Sequence, residues 1–153
     1  MKVFISYGNA DDQVTALRLQ ALAAVNGLTV YVPPAWTRQG TSALIDPESA
    51  ARLHDAEILL GVVRRGLTEA CQHELNAGLL ENKTAIVMTG PDFAGKLQPY
   101  FANLVVIDPA RPEIAETGIV EHLKAVNAGQ NAKKALLALG TLALGLLIFA
   151  PAE

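Results

Sequence analysis

Glu74 is the carboxylate whose neighbours best suit chemistry, and it lies within a helix predicted over about residues 68–80. It shares one helical stripe with three small residues, Ala70, Ala77 and Gly78. Small side chains on that stripe leave room for a carboxyl group to face a pocket. The positive end of the helix dipole favours the ionised carboxylate unless burial outweighs it, and such a carboxylate can stabilise a cationic sugar. The pattern also fits three solvated glutamates, Glu69, Glu74 and Glu81.

The other candidate residues follow predicted strands, because ligands of open α/β sheets bind beyond the carboxyl ends of the strands. They are Ser6, Tyr7 and Gly8 after the first strand, Trp36 and Arg38 after the second, and Arg64 after the third. Ordinary structural roles stay open for all of them. The two polar residues of the first strand can close it, Trp36 can cap the core or face a neighbouring chain, and Arg64 can be solvated surface. Cys71, on the helix of Glu74, is interpreted as a packing residue.

Five apolar runs alternate with helical patterns and predict the elements that position these residues. The runs cover about residues 3–5, 28–32, 58–63, 85–88 and 104–107. The run at 58–63 is apolar on both faces, which is typical of a central strand covered by helices on both sides. Strands that alternate with helices favour a doubly wound parallel sheet. The sequence therefore predicts an α/β domain over residues 1–128, with five parallel strands and helices on both faces.

The C-terminal end differs in composition from this domain. Residues 129–134 form a polar and basic hinge, and residues 135–152 are apolar almost throughout. A helix of this length is at the short end of what crosses a bilayer core, and Lys133 and Lys134 lie where a cytoplasmic flank is expected. We predict a C-terminal apolar helix that anchors the chain in a membrane, with the domain in the cytoplasm. The alternative is a helix buried in the core or sealing an oligomer.

Composition excludes several classes of function. A net charge of −3 gives no electrostatic reason to expect nucleic acid, which needs clustered Lys and Arg. One cysteine cannot form an intramolecular disulfide, and three scattered histidines suggest no metal site. No Gly-rich dinucleotide loop or Walker motif follows the first strand. No metal or bound cofactor is therefore expected.

A set of sequence blocks resembles the TIR domain, in its bacterial type, over residues 1 to about 128. The blocks are Phe4-Ile5-Ser6-Tyr7, Gly27-Leu28-Thr29-Val30-Tyr31-Val32, a long loop through Gly40, Asp55-Ala56-Glu57-Ile58-Leu59-Leu60 and Cys71-Gln72-His73-Glu74-Leu75. The resemblance implies a flavodoxin-like fold and a variable loop used in assembly. It also implies that Glu74 matches the glutamate of members that cleave NAD.

The resemblance implies cleavage of the bond between nicotinamide and ribose, with NAD as substrate and not as cofactor. The transition state of that reaction has oxocarbenium character, which a nearby carboxylate stabilises. Glu74 would be catalytic, the loop with Ser6, Tyr7 and Gly8 would contact the dinucleotide, and Trp36 would stack on a base or ring. Arg38 would lie near the phosphates, and Arg64 is a further candidate for substrate binding.

The resulting hypothesis is a membrane-tethered enzyme that consumes NAD when its TIR domains self-associate, as in bacterial immune effectors of the anti-phage type. Its expected partners are NAD, further copies of the chain, a lipid bilayer contacted by residues 135–152 and a separate sensor protein. Two alternatives remain. One is a non-catalytic adaptor that assembles through the loop from Pro33 to Asp46. The other is an enzyme that makes a cyclic ADP-ribose type of signal.

Overall fold

The computed structural model describes residues 1–38, 45–129 and 147–149. The strands in these ranges are β1 (Lys2–Tyr7), β2 (Thr29–Tyr31), β3 (Ile58–Val63), β4 (Thr84–Thr89), β5 (Asn103–Val106) and β6 (Leu147–Phe149). The α-helices are α1 (Ala10–Val25), α2 (Pro47–Asp55), α3 (Glu69–Leu80), α4 (Ala94–Leu97) and α5 (Pro112–Asn127), and a 3₁₀ turn covers Ala35–Arg38. The five predicted strands and the helices between them are thus present close to their predicted positions.

The strands of the described residues form one sheet in the order β2-β1-β3-β4-β5-β6. Strands β1 to β5 are parallel, as predicted. Their order, 2-1-3-4-5, is that of the flavodoxin-like doubly wound fold, in which the chain direction across the sheet reverses between β1 and β3. Ser6 is in register with Gly61 and Tyr7 with Val62 at this reversal. The crevice expected to receive a ligand therefore lies at the ends of β1 and β3.

Two apolar layers enclose the sheet. On one face, α1 and α5 contribute residues such as Leu19 and Ile119 to a core with the alternate side chains of β1 and β3. On the other face, Leu53 of α2 and Leu75 of α3 pack against Phe4 and its neighbours. All six residues of β3 are buried, as the two-sided apolar run predicts. Burial of each large apolar side chain contributes about 1.5–3 kcal/mol, so the double cover fixes β3 at the centre.

The C-terminal end departs from the prediction at β6. The apolar run predicts a helix over residues 135–152, but 147–149 form a short strand antiparallel to β5, with Leu104 in register with Ile148. The sheet therefore has a sixth strand that the sequence analysis did not predict. A strand at this position gives hydrogen-bond partners to the backbone of β5, which is otherwise an open edge. The rest of the predicted hinge and helix, and residues 39–44 of the long loop, lie outside the described residues.

Within the described ranges, no helix combines the length and the apolarity that crossing a bilayer requires.

Candidate functional site

Glu74 lies near the carboxyl end of β1, in the second turn of α3. The helix begins where Thr68 caps it, its hydroxyl accepting a hydrogen bond from the backbone N–H of Cys71. Farther along α3, a side chain at Gly78 would collide with Leu59 of β3. The absence of a side chain there lets α3 lie close against the sheet. Glu74 is consequently buried, with only 2% of its surface exposed.

The space around Glu74 is filled by an arginine. Arg38, in the 3₁₀ turn, donates from Nη2 to Glu74 Oε1 at 2.6 Å and from Nη1 to Oε2 at 3.1 Å. This two-point geometry is the strongest form of a charged hydrogen bond between these groups. The small side chains of the helical stripe suggested that Glu74 could face a pocket, with a solvated position as the alternative. In the structure the carboxylate is buried, and the Arg38 guanidinium lies beside it.

Tyr7 supports the arginine from the end of β1. The guanidinium carbon of Arg38 lies 4.3 Å from the centre of the Tyr7 ring, a cation–π contact. The Tyr7 hydroxyl donates to the carbonyl of Pro33 at 2.7 Å, just before the 3₁₀ turn. Tyr7 therefore holds both the start of the turn and the charged group at its end. The side chain of Arg38 is 7% exposed as a result.

Ser6 reaches Glu74 from the interior of the domain. Its hydroxyl lies 2.7 Å from Glu74 Oε1 and 3.1 Å from Cys71 Sγ. Ser6 lies two residues after Phe4 on β1, so both side chains point to the face of the sheet that α3 covers. The carboxylate is thus held between a strand, a helix and a turn.

Two opposing effects set the protonation of Glu74. Burial raises the pKa of Glu74 above its ordinary value, while hydrogen bonds and the charge of Arg38, with the Ser6 hydroxyl, act in the opposite direction. The charge of Asp46, which caps α2, adds a smaller upward effect on this pKa. The two-point pairing with the Arg38 guanidinium favours the ionised carboxylate.

The predicted site residues fall into two groups. Ser6, Tyr7, Arg38 and Glu74 come together in one cluster. Trp36 lies on the same 3₁₀ turn with 63% of its surface exposed. Arg64 has a different environment, because its Nη2 donates to Thr15 of α1 at 2.6 Å.

Arg64 lines a cleft of about 370 Å³ between the start of α1 and the end of β3. The cleft also contains Arg18, whose guanidinium is paired with Glu116 of α5 at 2.5 Å. Asp12 of the cleft caps the backbone of Asn9 and accepts from the N–H of Arg64. Arg18, Arg64 and Asp12 of this cleft therefore each have a hydrogen-bond partner within the protein.

Cys71 belongs to the cluster, although its sequence interpretation was packing. It is fully buried and its sulfur contacts the hydroxyl that reaches Glu74. The i, i+3 spacing of Cys71 and Glu74 on α3 is the sequence signal that places them on one helix face. Among the residues that the structure describes, no cluster of three or more His, Cys, Asp or Glu side chains is arranged to hold a metal ion.

Gly8 has a steric role that yields a test. A Cβ atom at this position would lie 2.8 Å from Asp12 Oδ2 and 3.2 Å from the carbonyl of Gly66. We expect Gly8→Ala to lower the free energy of unfolding by about 1–3 kcal/mol, as overpacking of a tight site does. Urea denaturation measures the difference.

Gly95→Ala is the matched control, because nothing lies within 4 Å of a Cβ atom there. In the helical backbone of α4 the same substitution should be stabilising by about 0.5–1 kcal/mol. If Gly8→Ala unfolds at the same urea concentration as the original protein, this result would contradict the close packing of Asp12 and the Gly66 carbonyl against Gly8.

No protein-family model matches the chain, and no curated protein sequence matches it. Among solved structures, the chain is similar to the TIR domains of the activated Roq1 resistosome, a complex that directly recognises the pathogen effector XopQ. The two share 14% sequence identity, the match covers 93% of this chain and 82% of that chain, and the TM-score is 0.48.

Proposed function

We propose that this chain hydrolyses NAD at the bond between nicotinamide and ribose, with Glu74 as the catalytic carboxylate. The observation that carries the proposal is a buried carboxylate, held by Ser6 and Arg38, at the point where the strand order reverses. As the bond to nicotinamide breaks, positive charge develops on the ribose. A fixed carboxylate in a site shielded from water stabilises that charge more strongly than a solvated one.

Arg38 has a second role in the proposed reaction. Its guanidinium covers Glu74 in this structure, so the ribose can reach the carboxylate only after the guanidinium moves away. The diphosphate of NAD offers Arg38 a replacement anion of suitable geometry. We infer that Arg38 exchanges Glu74 for the substrate phosphates, which frees the carboxylate when NAD is present. Tyr7 would then guide the arginine between the two positions.

The activity is tested by Glu74→Gln, which keeps the shape of the side chain and removes its charge. We expect purified protein at high concentration to release nicotinamide from NAD, and Glu74→Gln to be at least about 100-fold slower because the electrostatic stabilisation is lost. Nicotinamide release followed by chromatography gives the rate. The same chromatogram separates linear ADP-ribose from a cyclised product.

Glu116→Gln is the matched control. Glu116 is also a buried glutamate paired with an arginine, Arg18, but on the opposite face of the sheet. Glu116→Gln breaks the ion pair with Arg18. It therefore tests whether the loss of an ion pair elsewhere in the domain lowers activity simply by destabilising the fold. Activity that falls equally in both variants, in proportion to the unfolded fraction, would contradict a catalytic role for Glu74.

A specific observation favours one second candidate, the non-catalytic adaptor. A carboxylate neutralised by a bidentate arginine also has the geometry of an ion pair that only holds elements together. In that case Glu74→Gln should weaken the fold while the original chain leaves NAD intact. Exposed Trp36 would then contact a neighbouring copy.

We further propose that the apolar tail tethers the domain to a cytoplasmic membrane surface, where copies concentrate and activity rises. Confinement raises effective concentration without new contacts. An immune role with a separate sensor as trigger is part of this proposal. Spanning by residues 135–152 requires that 147–149 leave β5, because the same backbone cannot pair in a sheet and complete a helix.

Vesicle flotation decides between the two uses of the tail. If the tail spans, the full chain should float with lipid vesicles, and a chain ending at Lys134 should stay in the aqueous fraction and need a higher bulk concentration for activity. If β6 is the stable form, the full chain should not float. The truncation should then lower the free energy of unfolding, because the edge of β5 becomes exposed.

A further inference from the structure

The hydroxyl of Ser6 lies between two buried groups of α3. Its oxygen is 2.7 Å from Glu74 Oε1 and 3.1 Å from Cys71 Sγ. Ser6 and Cys71 have no exposed surface, and Glu74 has 2%. Water is therefore kept away from these contacts, and the polar atoms of Ser6 and Cys71 have to find their partners within this buried cluster.

Counting protons gives the direction of the two hydrogen bonds. Ser6 has one hydroxyl proton and donates it to one acceptor at a time. An ionised carboxylate accepts only, and it is a far stronger acceptor than a thiol sulfur. The Ser6 proton therefore points to Glu74, and the contact with Cys71 is completed when the thiol S–H donates to Ser6 Oγ.

The thiol keeps its proton under ordinary conditions. Complete burial raises the pKa of Cys71 to about 12. A thiol in this state is not a nucleophile, since nucleophilic attack requires the thiolate. The protonated thiol is a weak hydrogen-bond donor.

We propose that Cys71 and Ser6 form a hydrogen-bond chain that positions Glu74, in which the Cys71 thiol donates to Ser6 Oγ and the Ser6 hydroxyl donates to Glu74 Oε1. This inference rests on the proposed function. It assigns Ser6 to the carboxylate instead of to the dinucleotide, and it gives Cys71 a role beyond packing. Both are positioning residues, because they act through Glu74.

The hydrogen bonds from Cys71 and Ser6 matter most when Arg38 leaves Glu74. Arg38 lies on a four-residue 3₁₀ turn, whereas Ser6 lies on a strand paired with β3 and Cys71 on the helix of Glu74 itself. Displacement of the guanidinium by substrate removes two of the donors to Glu74 and leaves the Ser6 hydroxyl in place. The remaining donor fixes one carboxylate oxygen and leaves the other, Oε2, for the developing charge on the ribose.

Other charged and titratable groups near Glu74 also affect its pKa, and the test must distinguish their effects from those of Ser6 and Cys71. Arg38 lowers the pKa of Glu74, and Asp46 raises it. Tyr7, whose own pKa is raised by burial, interacts electrostatically with both members of the pair. None of these groups is altered in Ser6 or Cys71 variants. Changes in the titration of Glu74 in these variants therefore report the hydrogen bonds from Cys71 to Ser6 and from Ser6 to Glu74.

The experiment compares Ser6→Ala, Cys71→Ala and Cys71→Ser in the full-length chain. Loss of a hydrogen bond to a charged group should lower kcat for NAD cleavage about 10- to 100-fold in Ser6→Ala, with KM within about twofold. Cys71→Ala should lower kcat about two- to fivefold, since it weakens the chain one step away. Cys71→Ser keeps a donor at this position and should restore the rate.

The pH dependence gives a readout that instability alone does not move. Each lost donor disfavours the ionised carboxylate, so the pKa of Glu74 rises and the acidic limb of the rate profile moves to higher pH in Ser6→Ala and Cys71→Ala. Thr89→Val is the matched control, because it removes another buried hydroxyl, which donates to the carbonyl of Val63 on the neighbouring strand. Its acidic limb should stay in place.

A pH titration of Glu74, followed by the ¹³C chemical shift of its carboxyl group, provides the same test without activity. The pH at the midpoint of this titration should rise in Ser6→Ala and Cys71→Ala, and it should return to the original value in Cys71→Ser. If the protein does not cleave NAD but the titration midpoints change as described, the proposed function fails and the hydrogen-bond arrangement of Cys71, Ser6 and Glu74 is supported. Midpoints that are equal in the original chain and Cys71→Ala overturn the inference, whatever the activity.

Discussion

Burial of the Glu74 carboxylate is the constraint on which the rest of the site depends. Removing an ionised carboxylate from water costs several kcal/mol, and only nearby donors and positive charge offset that cost. The chain supplies them from three elements, with Ser6 at the end of β1, Arg38 at the end of the 3₁₀ turn and Cys71 one turn before Glu74 on α3. Loss of any one contact leaves a buried charge less well compensated. The geometry of strand, turn and helix is therefore linked through one carboxylate.

The two sides of Glu74 differ in a way that fits a reaction better than a purely structural ion pair. The inner side is made by Ser6 of β1 and by α3, which lies close against β3 at Gly78. The outer side is made by a single arginine on a short turn that follows an edge strand. A structural pair needs no such difference, whereas a site that admits substrate needs one fixed partner and one exchangeable partner. Tyr7 joins the two sides, because it ends β1 and also contacts Arg38.

Sequence patterns predicted the fold well because local periodicity reflects burial. The run at 58–63 indicates a strand covered on both sides, and all six residues of β3 are buried. The spacing along α3 left a solvated Glu74 open, whereas the structure buries it together with Cys71 and Leu75. Such patterns could not predict the Arg38–Glu74 pair, because its two residues are 36 positions apart and Arg38 lies in a loop without periodicity. The family resemblance implied that Arg38 lies near the substrate phosphates, and it did not predict the pair with Glu74. Residues 147–149 were predicted as helix because they belong to the long apolar run of 135–152. Their pairing with β5 joins residues that are distant in sequence, which local periodicity does not indicate.

The most direct measurement is the ¹³C carboxyl resonance of Glu74 during titration with a NAD analogue whose ribose ring oxygen is replaced by carbon. Such an analogue carries the diphosphate but does not undergo cleavage, so it reports binding alone. If Arg38 exchanges Glu74 for the diphosphate, the resonance should shift on saturation and the pKa of Glu74 should rise, because its main positive partner has left. A resonance that stays unchanged while the analogue is bound would show that Glu74 remains locked in its ion pair, and it would contradict the catalytic assignment.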